Sequence, residues 1–126
     1  MSLRKGLVVV VLLAATALLG GCFLFPNQPP VAAFVVDHDH DPNPMVVRFD
    51  ASVSTDPDDD PIVSYAWAFS DDLEIISPAA TTKLLTQPEL VVRFPHEGTY
   101  TIQLLVRDDQ GAASAVVEAD VTVPNP

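Results

Sequence analysis

One cysteine, Cys22, stands among the 126 residues, so no disulfide can close within the chain and its stability must come from packing or bound ligand. Basic residues are scarce too. Six Lys and Arg face 17 Asp and Glu, a formal net charge of -11, and two of the six, Arg4 and Lys5, sit in an N-terminal segment that reads as cleavable. Such a surface repels phosphate backbones and anionic headgroups, which argues against nucleic acid and against an electrostatic membrane patch. It suits cations. After residue 22 no stretch carries the i, i+3, i+4 apolar spacing of a helix, and at this length only one modest core can be built. Catalysis lacks its usual signs as well: no pair of carboxylates falls in an apolar cleft, and no Ser, His and Asp stand in a nucleophile context. The sequence therefore predicts a non-catalytic domain.

What is present begins with a targeting pattern. Arg4 and Lys5 precede a charge-free apolar run over residues 7–19, too short for a comfortable membrane span, so residues 1–21 read as a signal peptide. The following Leu19-Gly20-Gly21-Cys22 resembles the bacterial lipobox. That resemblance implies cleavage before Cys22 and lipidation of its thiol, with the membrane as partner and about 0.8 kcal/mol of anchoring per buried CH₂. Phe23 stands where aspartate would signal inner-membrane retention, so the expected location is the outer membrane or cell surface. Residues 22–30, ending Pro26-Asn27-Gln28-Pro29-Pro30, read as a stiff extended tether.

Residues 31–124 then alternate in the period-two manner of strands broken by Pro, Asp and Gly turns. Strands are expected over residues 31–36, with Ala32, Phe34 and Val36 inward, and over 45–51, with Val47 and Phe49 inward. The centre is residues 54–69. Two prolines around Asp58, Asp59 and Asp60 forbid a helix and place a turn at the surface. A strand follows with Val63, Tyr65, Trp67 and Phe69 on one face, and the lone Trp67 is the natural plug between two facing sheets. Beyond an Asp71-Asp72 turn, weaker strands fall over 73–76 and 83–86. Clearer ones cover 90–94, with Leu90, Val92 and Phe94 on one face, and 99–107, with Tyr100, Ile102, Leu104 and Val106 inward. Asp108-Asp109-Gln110-Gly111 signals a hairpin, returning over 113–123 with Val117, Ala119, Val121 and Val123 in phase.

About seven such strands predict an all-β, immunoglobulin-like sandwich. Its motifs go further. Asn27-Gln28-Pro29-Pro30-Val31, Phe49-Asp50-Ala51-Ser52, Ser54-Thr55-Asp56-Pro57-Asp58, Tyr65-Ala66-Trp67-Ala68-Phe69, Gly98-Thr99-Tyr100-Thr101 and Val106-Arg107-Asp108-Asp109-Gln110-Gly111 resemble, in order and spacing, the PKD domain, the polycystic-kidney-disease repeat. The chain departs from the family at Trp67-Ala68-Phe69-Ser70-Asp71-Asp72, where Trp-Asp-Phe-Gly-Asp-Gly is usual, and at Asp59, where glycine is frequent. The resemblance implies a module for adhesion, spacing, or protein or polysaccharide binding. Independently of the resemblance, Tyr100 sits where a tyrosine corner belongs, at the start of the sixth strand.

Two metal readings arise from the residues. Asn27, Asp56, Asp58, Asp59 and Asp60 offer clustered hard oxygens that suit Ca²⁺, and some PKD domains are implied to use this asparagine and this turn. The plain alternative is a solvated turn capped by its own aspartates. His38 and His40, two apart on a strand and so on one side of it, could hold Zn²⁺, Cu²⁺ or Ni²⁺ with a third ligand such as His96; the plain alternative is that residues 37–41 form a solvated loop.

Overall fold

Alternation along one long strand sets the architecture. Tyr100, Ile102, Leu104 and Val106 are all at most 4% exposed, so every second side chain of this strand is driven into one core. The computed structural model describes residues 26–70, 73–78 and 84–125; the expected signal segment, Cys22, the Asp71-Asp72 turn and Lys83 lie outside them. Eight strands are present among the described residues: β1 (Val35–Asp37), β2 (Val46–Asp50), β3 (Ile62–Phe69), β4 (Glu74–Ser77), β5 (Leu84–Leu85), β6 (Glu89–Arg93), β7 (Gly98–Asp108) and β8 (Val117–Val123). They form two four-stranded antiparallel sheets, β1-β2-β6-β4 and β5-β3-β7-β8, with no helix among the described residues. The expected sandwich is the observed one.

Trp67 on β3 is 3% exposed and fills the space between the sheets. Its ring lies 5.3 Å from Phe34, just ahead of β1, and 5.8 Å from Phe49 on β2 of the facing sheet, in the edge and tilted arrangements that aromatic quadrupoles favour. A second aromatic pair, Phe94 and Tyr100 at 4.7 Å, closes the core at the start of β7. The Tyr100 hydroxyl donates to the His96 carbonyl oxygen at 2.6 Å, which ties the β6–β7 connection to the strand it feeds. The tyrosine corner is therefore formed. Tyr100→Phe should cost about 1 kcal/mol, the usual net worth of a partly buried hydrogen bond, measurable as a shifted denaturant midpoint with an unchanged m-value.

Arg48 spans three neighbouring strands, contacting Asp37 of β1 and Glu89 of β6, each at 3.2 Å. Half-exposed pairs of this kind fix register more than they stabilise.

Three expectations shift locally. Val63 was expected inward with Tyr65 and Trp67, yet it is exposed, while Ile62 packs against the core. The cause is a bulge between Ile62 and Ser64, where β3 slips against β7 and the alternation reverses. Residues 31–36 do not form one strand: Val31 makes an isolated bridge to Thr55, and the ladder to β2 begins at Val35. The return strand starts at Val117 rather than 113, because the Ser114 hydroxyl accepts the Val106 N–H at 3.0 Å and diverts the chain from the ladder.

Candidate functional site

The turn before β3 is built by one carboxylate. Asp56 Oδ1 accepts the N–H groups of Asp58 at 2.7 Å and Asp60 at 3.3 Å, while its main-chain oxygen accepts that of Asp59 at 3.0 Å. Asp59 takes the left-handed conformation, φ 59°, which aspartate tolerates better than most residues. Prolines at 57 and 61 hold the flanking geometry. All this occupies one oxygen of Asp56. The other, Oδ2, is buried on a residue only 8% exposed and accepts no N–H or O–H among the described residues, its nearest company being the carboxylates of Asp60 and Asp108.

Asp108, at the end of β7, meets this turn. It is 1% exposed, and its Oδ1 accepts the N–H groups of Gln110 at 3.0 Å and Ala112 at 2.9 Å, closing the hairpin. Its Oδ2 accepts a hydrogen bond of 2.8 Å from the Asn27 side-chain amide, 81 positions away in sequence. Asp56, Asp60 and Asp108 each bring a carboxylate oxygen within 4.8 Å of the others. An open cleft of about 320 Å³ adjoins Asp56 and Asp60, bordered also by Thr55, Asp59 and Tyr65.

The electrostatics are those of crowded like charges. Burial, then the charges of Asp109, Asp56, Asp108 and Asp58, push the Asp60 carboxyl above its ordinary range. Asp108 goes the other way. Burial works against its ionisation, but the hydrogen bonds from Asn27, Ala112 and Gln110, with a further one shared with the Asp56 carboxyl, outweigh it and hold the carboxyl below the usual range.

Of the residues singled out from sequence, Asp56 and Asp60 come together, and Asn27 reaches the group through Asp108. Asp58 and Asp59 do not converge with them: Asp58 Oδ2 instead accepts the Gln28 N–H at 2.7 Å, and Asp59 is exposed and shapes the turn. Asp108 was read only as part of a hairpin. The signal that marks it is phase, since it continues the inward series Tyr100, Ile102, Leu104, Val106, and a carboxylate in a core phase must be satisfied by something.

The histidine reading does not hold as stated. His38 and His40 lie in the turn after β1 rather than on a strand, where period-two geometry would have aligned them. Among the described residues no three-ligand group includes them or His96. A larger cleft of about 570 Å³ is lined by His38 but not by His40 or His96, between Asp41, Pro44, Pro124 and Asn125, at the other end of the sandwich from Asp108. The His38 Nδ1 is buried without a partner, but no convergent donor set accompanies it.

Two antiparallel sheets closed over one tryptophan, with a tyrosine corner and acidic turns where the chain leads in, define an immunoglobulin-like domain. The sequence model of the PKD domain matches residues 27–123, and the chain belongs to that family. The PKD1 domain of Vibrio anguillarum Epp is similar over 79% of this chain and 99% of its own, at 28% identity and a TM-score of 0.56. The PKD1 domain of the Vibrio cholerae metalloprotease PrtV shares the fold at 24% identity and a TM-score of 0.53, over 76% of this chain and 98% of its own. A structure described as showing carbohydrate-binding modules of the β-sandwich superfamily matches at 29% identity and a TM-score of 0.55, over 76% of this chain and 34% of its own. No curated protein sequence matches.

Proposed function

We propose that the chain is a lipoprotein of the bacterial surface or outer membrane, anchored through Cys22, whose PKD domain acts without catalysis as a spacing and binding module. The observation that carries this reading is the placement of the domain directly behind the lipobox-like cysteine: the family match begins at residue 27, five positions after Cys22. Geometry supports a spacer. Asn27 sits by Asp108 at one end of β7, while Val123 pairs with Gly98 at the other, so the chain traverses the sandwich over about 35 Å, the length of an 11-residue strand. The two Vibrio relatives, each covered almost completely, support a module of this size as a folded unit.

For the partner, the described surface favours protein over polysaccharide. Its exposed large apolar side chains are Val31, Val35, Val53, Val63, Ile76 and Val116, with no aromatic ring among them to stack on a sugar. Anchoring and partner are tested together. Cys22→Ser should move the protein from the membrane pellet to the soluble fraction, and the released domain should be retained by envelope proteins but not by purified envelope polysaccharide. Continued sedimentation of the variant with lipid would remove the anchor; retention by polysaccharide alone would make the ligand a glycan.

A structural calcium ion is the second part of the proposal. The residues fit it: three carboxylates from two turns converge, one buried oxygen of Asp56 accepts no N–H or O–H among the described residues, and every donor is a hard oxygen. Asp56, Asp60 and Asp108 would hold the ion, with Asn27 beside Asp108. Bound there, the ion supplies charge neutralisation, and the chain's part is to hold the carboxylates together across two turns far apart in sequence.

A further inference from the structure

A sheet edge presents unpaired main-chain N–H and C=O groups, and folded proteins blunt such edges by keeping them short, bulged or charged. Three of the four edges here are short: β5 has two residues, β1 three and β4 four, the last with a bulge against β6. β8 differs. Its seven residues pair with β7 in unbroken register, from Val117 opposite Leu104 to Val123 opposite Gly98, and no strand lies on its other side among the described residues. Nor does any turn or loop bond among them take up the main chain of residues 117–123. Alternate residues of an edge strand turn both main-chain groups away from the neighbour, so β8 offers a row of donors and acceptors to a further strand.

Side chains on the two faces of β8 define that strand. Toward the core, Val121 and Val123 are buried while Val117 and Ala119 are only half-buried, and apolar side chains in the same phase on an added strand would cover them. Toward solvent, Glu118 and Asp120 accept only neutral hydrogen bonds, from Gln103 and Thr101, each at 2.9 Å. Carboxylates on the other sheet are matched by cations: Asp37 and Glu89 by Arg48, and Glu74 by Arg93. The two on β8 have no such match among the described residues. A second copy pairing antiparallel through β8, with its apolar phase aligned, sets these carboxylates opposite or beside one another, which destabilises the pair.

We propose that β8 is a docking edge for an extended segment of another protein, added as a fifth strand to the β5-β3-β7-β8 sheet, with lysine or arginine on its outer face alternating with apolar side chains on its inner one. This rests on the reading of the domain as a protein-binding module and assigns that binding to one edge. The net charge of -11 draws a basic segment in, and Glu118 and Asp120 fix its register.

The test uses the full lipid-anchored protein in nanodiscs of zwitterionic lipid, with empty nanodiscs as the blank. Its probes are capped peptides of about nine residues, enough to span β8: alternating lysine and valine, alternating glutamate and valine, and alternating lysine and proline. The expected result is calorimetric binding of the lysine–valine peptide, weakened as salt is raised, with exchange of the outward-turned amides of residues 117–123 slowed at least about tenfold and that of Val47 and Phe49 in β2 unchanged. The lysine–proline peptide keeps the charge but lacks every second N–H, and should bind at least about tenfold more weakly and protect nothing. Glu118→Lys combined with Asp120→Lys changes two exposed side chains and should transfer the preference to the glutamate–valine peptide. Equal binding of both lysine peptides, protection outside β8, or an unchanged preference in the double variant would each overturn the edge. Protection of residues 117–123 that deepens with protein concentration in the absence of peptide would make a second copy the occupant and overturn the basic partner. If no peptide binds while envelope proteins still retain the domain, the edge fails and the protein-binding reading stands; if they do not retain it either, both fail.

Discussion

Trp67→Ala is expected to cost about 3 to 5 kcal/mol, the usual range for deleting a large buried aromatic, and to lower the melting temperature by more than about 12 °C in a domain of this size. The ring is 3% exposed and contacts Phe34 and Phe49, so alanine leaves a cavity exactly between the sheets, where neither sheet can collapse without breaking its own ladder. Total stabilities of about 5 to 15 kcal/mol make this enough to depopulate the fold near body temperature. Thermal unfolding followed by circular dichroism reads it directly. Trp67→Phe provides the control: the indole N–H has no acceptor among the described residues, so phenylalanine sacrifices volume but no hydrogen bond and should cost distinctly less. A Trp67→Ala variant melting within a few degrees of the parent would show that the indole does not join the two sheets.

Calcium should raise stability by about 2.7 kcal/mol when its free concentration is a hundred times its dissociation constant, a shift of roughly 10 to 20 °C. The physical source is relief of crowding among Asp56, Asp60 and Asp108 together with a counter-charge for the buried Asp56 Oδ2. Asp56→Asn separates this from a general salt effect. Asparagine keeps an oxygen to accept the Asp58 and Asp60 N–H groups, so the turn survives, but one charge of the site is gone. That variant should melt at least as high as the parent in EGTA and gain little from calcium. Equal gains for parent and variant would place the ion elsewhere, and no gain for either would leave a solvated acidic turn.

Strand positions were legible because period-two alternation needs only neighbouring residues. It located the inward faces of β2, β6 and β7, including Phe49, Leu90, Phe94 and Ile102, all buried as expected. It failed at Val63, because a bulge is decided by how β3 meets β7 and not by β3 alone. The site was half legible for the same reason. Asp56 and Asp60 share one turn and are neighbours in any conformation of it, whereas Asp108 becomes their neighbour only when β7 pairs with β3, and Asn27 only when the lead-in segment lies down beside both.

The amino-acid sequence by itself determined the family, the alternating faces, the core role of Trp67 and Tyr100, and the absence of any internal disulfide, since each of these follows from composition or from short-range pattern. Tertiary structure alone decided which carboxylates converge, and that Asn27 and the Gln28 N–H are bonded to Asp108 and Asp58. Those facts depend on contacts between residues as many as 81 positions apart, and such distances are fixed only when the two sheets close.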